Sequence, residues 1–175
     1  FAGSGGGLTN PELLRLIEAG DDSLDNPFSP RAVLRMLVYK PPFVPAREDD
    51  LVAATLQTHI GPEDLPGDSV KSPNWPFVAP GRWGMANAAS PKYAGDVERL
   101  YAIDPKPAVL WIRGSDDIAV SDTAASCPGA LGAAGQIPAW PGAEVFPPQP
   151  MLGQTRAVLD KYQAAGGIYR EIVIE

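Results

Sequence analysis

The stretch "KPAVLWIRGSDDIAVSD", residues 106–122, decides how this chain folds. Its apolar run from Ala108 to Ile112 is continuous, entered through Pro107 and ended by Gly114. Continuous rather than alternating apolarity predicts a strand covered on both faces, as in a parallel sheet. Three residues after the glycine stands Asp117, on the loop leaving the strand's C-terminal end. In open α/β sheets that edge is where ligands bind.

Reading onward, "PMLGQTRAVLDKYQAAGG" predicts a helix with Met151, Leu152, Thr155, Val158, Leu159 and Tyr162 on one side and Gly166-Gly167 at its end. "YREIVIE" then predicts a second strand, Ile172 to Ile174. Strand, crossover helix and strand form a βαβ unit, so the fold class expected is α/β with a parallel sheet. Two strands are too few for a stable buried parallel sheet, and the expectation is a part of a larger protein.

Reading backward, the texture changes near Lys92. "TNPELLRLIEAGD" offers Asn10 as a cap and Pro11 at the first helical position, and Ser29-Pro30 repeats the device in "SPRAVLRML". "REDDLVAATLQTHIG" puts Glu48, Asp49 and Asp50 where they complement a helix dipole. Its predicted stripe is Leu51, Val52, Thr55, Leu56 and Ile60, closed by Gly61. Residues 62–90 show no period and read as an ordered loop, in keeping with 20 prolines and 18 glycines in the chain.

Composition narrows the function. At 45% hydrophobic and 20% charged the chain has the make-up of an ordinary globular protein. Its charge of −7 and scattered basic residues argue against a nucleic-acid partner. No apolar run is long enough for a membrane span, and the first residues lack a signal peptide's charged and apolar regions. The first residue is Phe1 rather than Met, so an upstream segment stays open. A single cysteine, Cys127, favours a reducing compartment, and a cytoplasmic location is expected. One histidine and one cysteine do not make a usual zinc site, and no metal or cofactor is expected.

Gly114, Ser115, Asp116 and Asp117, with Ile118, Ala119 and Val120 after them, resemble the acid-bearing strand and loop of the α/β-hydrolase family. The helix and last strand that follow keep the family's order, and the resemblance covers residues 92–175. Residues 1–91 match as a helical cap or lid, and "NPELLRLI" and "SPNWP" are similar to the Pro-rich caps of bacterial members. The resemblance implies that Asp117 is the acid of a nucleophile–acid–histidine triad. The nucleophile would precede Phe1 and the histidine would follow Glu175, so residues 1–175 alone would be inactive. A small, largely apolar substrate of ester or epoxide type is implied, a serine nucleophile giving acyl transfer and an aspartate epoxide chemistry. Two other readings stay open: a non-catalytic relative in which Asp117 only forms a turn, and a Pro-rich interaction protein.

Other side chains carry paired readings. Trp75, Phe77 and Trp83 in the first half, and Trp140, Phe146 and Met151 in the second, either line a substrate pocket or pack beneath their loops. His59 follows the Leu51–Leu56 stripe and is expected to face inward as a packed or cleft-edge histidine. Asp116 and Asp122 read as solvated turn residues or helix caps. Cys127 lacks a histidine to activate it. Ser4, in "FAGSGGG", imitates a nucleophile elbow but has no strand before it and a flexible triple glycine after it.

Overall fold

A computed structural model describes residues 1–175 as a mixed helix-and-strand chain with three small sheets. It divides into two compact units, Phe1–Ala94 and Gly95–Glu175.

The first unit opens with a 3-10 turn, Gly6–Leu8, followed by α1 (Pro11–Glu18), α2 (Pro30–Val33), a π-helical turn (Leu34–Val38) and α3 (Glu48–Leu56). The caps are those the sequence predicts. Asn10 Oδ1 accepts from Glu12 N at 2.9 Å, Ser29 Oγ accepts from Ala32 N at 3.1 Å, and Pro11 and Pro30 occupy first-turn positions. Leu16, Ile17, Ala32 and Val52 are the buried apolar contacts of these helices. Across them, Glu48 accepts from Arg35 Nε at 2.6 Å and from Arg31 Nη1 at 2.7 Å. The Arg35 guanidinium, more than any other group, lowers the Glu48 carboxyl to about 2.

α3 stops a turn before the expected end. Thr55 Oγ1 bonds back to Leu51 O at 2.9 Å, and Thr58 N closes onto Thr55 O, which tightens and ends the helix. Ile60 therefore lies in a strand instead of on the helical stripe, and Leu51, within α3, is exposed.

Residues 62–90 are not one irregular loop. They contain β2 (Leu65–Pro66), which pairs in parallel with β1 (Ile60–Gly61) just before them, an antiparallel pair, β3 (Ser69–Lys71) with β4 (Val78–Pro80), and α4 (Met85–Ala88). Strands of two or three residues are too short to print a period of two in the sequence. What joins these pieces is Asn87, which is 1% exposed. Its Oδ1 accepts from Gly6 N at 2.8 Å, and its Nδ2 donates to Asp68 O at 2.7 Å and Trp83 O at 2.6 Å. Gly84 (φ +95°) must be glycine here, because a Cβ would stand 2.1 Å from Gly67 Cα.

The second unit contains α5 (Glu98–Tyr101), β5 (Val109–Gly114), α6 (Pro128–Ala133), α7 (Met151–Ala164) and β6 (Tyr169–Ile174). β5 and β6 pair in parallel, from Val109↔Tyr169 to Gly114↔Ile174, with α7 between them in the chain. Leu159 and Tyr162 bury the expected stripe of α7, and the Tyr162 hydroxyl donates to Pro107 O. Arg156 of α7 reaches Glu171 of β6 at 2.9 Å, and Glu171 also accepts from Arg113 Nε of β5 at 2.6 Å. Both guanidinium groups lie within 6 Å of the Trp111 ring centre, at 5.7 and 5.8 Å.

One expectation for β5 fails within these residues. α7 covers the face bearing Trp111, while Leu110, Ile112 and Ile174 remain 54–58% exposed on the other. A single crossover helix can cover only one face, so the continuous apolar run is left half-covered. α6 forms where the sequence carries little helical signal, since "PGALGA" holds two glycines and one large apolar residue.

Two measurements check these ties. Asn87→Ala removes the acceptor of the buried Gly6 amide and the side-chain donor to the Asp68 and Trp83 carbonyls and should cost about 3 kcal/mol in urea unfolding, against about 1 kcal/mol for Asn10→Ala at a half-buried cap. A carboxyl lowered by folding stabilises above its unfolded value and loses that contribution as it protonates. Stability carried by Glu48 and Glu171 should therefore decline as pH falls from about 4.5 to about 2. Glu48→Gln should flatten part of that decline, and an unchanged acid profile would contradict the pairing.

Candidate functional site

The loop leaving β5 is organised around Asp117. β5 ends at Gly114, where Ser115 N donates to Ile174 O at 2.8 Å and keeps the loop beside the end of β6. Asp117 Oδ1 then accepts from Ala119 N and Val120 N, both at 2.8 Å. This local turn consumes one carboxylate oxygen and leaves Oδ2 for a donor from outside the loop. Asp117 is half-buried, whereas Asp116 is exposed. Ala125 N to Ile118 O at 2.8 Å and Ser126 Oγ to Ala119 O at 2.9 Å close the loop behind it.

Asp122 caps a helix, but one thirty residues away. Its Oδ1 accepts from Leu152 N at 2.8 Å and Gly153 N at 3.4 Å, the first free amides of α7. The sequence held a usable sign of this: α7 begins at "QPML", with no Ser, Thr, Asp or Asn to cap it. An uncapped helix start calls for an acceptor from elsewhere.

The aromatic candidates separate into two groups. In the second unit Trp140 Nε1 donates to Phe146 O at 3.0 Å, so both half-buried residues belong to one turn of the segment between α6 and α7. Met151, also half-buried, opens α7. In the first unit Trp75 is buried at 6% exposure. Phe77 and Trp83 are exposed, Phe77 with φ +67° and Trp83 beneath the Arg82 guanidinium at 4.8 Å. Asp68 holds that corner: its Oδ1 accepts from Arg82 N and Trp83 N, both at 2.7 Å, and the Trp83 amide contributes most to lowering its carboxyl.

His59 does not point inward. With α3 ended at Leu56, its side chain stands on the surface, and Nδ1 pairs with Asp64 Oδ2 at 2.7 Å. Ser4 is engaged as well: its hydroxyl donates to Phe1 O at 2.8 Å and lies 2.9 Å from Ser90 Oγ. The triple glycine behind it is a packed turn, not a flexible one. Gly5, at φ +82°, fits where a Cβ would stand 2.3 Å from Asn87 Oδ1. Cys127 is buried at the start of α6, its Sγ accepting from Gln149 N at 3.2 Å.

The arrangement can offer one oriented carboxylate oxygen at the C-terminal edge of a parallel strand pair. Of the three acids on this loop, Asp117 alone is half-buried with Oδ2 outside its turn, whereas Asp116 and Asp122 are exposed and Asp122 Oδ1 caps α7. No protein-family model, curated protein or solved structure matches the chain.

Proposed function

We propose that residues 1–175 are the cap and the acid-bearing core segment of an α/β-hydrolase, with Asp117 as the acid of its catalytic triad. The observation that carries this reading is the parallel register, Gly114↔Ile174, which sets the end of β6 beside the turn that fixes Asp117. A histidine a few residues beyond Glu175 would then come within reach of Asp117 Oδ2. The open apolar face of β5 and β6, and their unpaired outer edges, also suit strands and helices of a larger core.

In this role Asp117 accepts the imidazole Nδ1–H. That bond fixes the tautomer, turns Nε2 toward the nucleophile and stabilises the imidazolium formed when the nucleophile loses its proton. The two backbone amides on Oδ1 keep the carboxylate aimed without using the oxygen that the histidine needs. His59 is not assigned as the base: its side chain is 81% exposed on the surface of the first unit, where Nδ1 pairs with Asp64. The substrate would be a small, largely apolar ester or epoxide, with Trp140 and Phe146 of the second unit as candidate contacts.

The turn by itself explains an aspartate at 117 in a non-catalytic relative, and Asp117→Asn separates the two readings because Asn keeps Oδ1 and the turn. In the intact gene product, assayed with short-chain aryl esters and a simple aryl epoxide, this variant should lose on the order of 10³–10⁴ in kcat. Its thermal midpoint should stay near that of the parent. Undiminished turnover in the variant would remove Asp117 from the triad, and absence of turnover on both substrate classes in the parent would favour the non-catalytic reading.

A further inference from the structure

We propose that Asp122 is a positioning residue for Asp117: it pins the far end of the acid loop to the start of α7, so that the candidate acid is held from both sides. The catalytic consequence rests on the hydrolase reading above, whereas the positioning itself does not.

The geometry is specific. The helices α1 and α2 are capped by the residue next to them, Asn10 and Ser29. α7 has Pro150 in that place, which offers no side-chain acceptor, and borrows Asp122 Oδ1 instead. A borrowed cap does more than satisfy amides, because it joins two segments distant in sequence. On the near side, Ser115 N is fastened to Ile174 O of β6. On the far side, Asp122 is fastened to Leu152 N and Gly153 N. Asp116–Ser121 are all that lie between these attachments, and Asp117 with both of its amide partners falls among them. α7 is itself tied to the sheet through Arg156 and Glu171, so both attachments lead back to the same strand pair. Asp117 is thereby referenced to β6 by two routes, and an acid that must meet a group at the end of β6 gains from that double reference.

Amide hydrogen exchange on the intact gene product tests the positioning without any activity. The amides of Ala119 and Val120 have Asp117 Oδ1 as their acceptor and so report its turn. In Asp122→Ala they should exchange about tenfold faster, while amides within β5 and β6 keep their protection. Asp122→Asn retains Oδ1 and should restore them. Unchanged exchange at Ala119 and Val120 overturns the proposal. So does loss of protection throughout β5 and β6, which would make Asp122 a general stabiliser, and so does a failure of Asn to rescue. In the intact gene product, Asp122→Ala should lower kcat about tenfold with KM unchanged, and a KM effect alone would contradict positioning. If the parent shows no turnover, the hydrolase reading fails while the exchange experiment still decides the role of Asp122.

Discussion

Glu171 is the point on which the second unit depends. It stands on β6, accepts from Arg113 on β5 and from Arg156 on α7, and so links both strands and the crossover helix in one half-buried cluster. Arg156 and Arg113 together lower its carboxyl to about 2, Arg156 contributing most. The same two guanidinium groups flank Trp111, so charge pairing and aromatic contact act on one spot. A two-stranded parallel sheet gains little from its own ladder. The cluster, with Tyr162 anchored on Pro107, supplies what holds α7 to it. Because the register of β5 against β6 fixes where the loop after Gly114 begins, the position of Asp117 descends from this cluster.

The first unit uses a different device for the same problem. Its last forty residues have little regular structure, and short segments cannot satisfy one another's backbone groups through ladders alone. Asn87 takes over that work for the amino-terminal turn, Asp68 and Trp83, and Asp68 does the same for the Arg82 and Trp83 amides. Close backbone contacts, such as Gly67 against Gly84, let these loops approach within the reach of one amide side chain. The high proline and glycine content thus produces ordered, tightly packed loops.

How much of this was legible in the sequence varied with the physics of each element. The caps of α1 and α2, the apolar stripe of α7 and the parallel strands could be read because each depends on neighbours in sequence. Asp117 could be located on its loop because an apolar strand ending in glycine fixes where that loop starts. His59 departs from its expected inward place, since α3 ends at Leu56, where Thr55 bonds back to Leu51 O, and the apolar stripe does not continue to residue 59. The Asn87 hub and the Asp122 cap were hidden for the opposite reason. Both join residues far apart in the chain, and a period along the sequence carries no trace of such bonds. The only local hint was negative, the missing cap residue before Met151.

The central claim is that Asp117 Oδ2 receives an imidazole. Its most direct test is proton and nitrogen NMR of the histidine side chains in the intact gene product, parent against Asp117→Asn. The account predicts a strongly downfield, slowly exchanging Nδ1–H in the parent that comes from a histidine other than His59 and disappears in the variant. A parent spectrum without such a proton, or one in which it survives the substitution unchanged, would contradict the account.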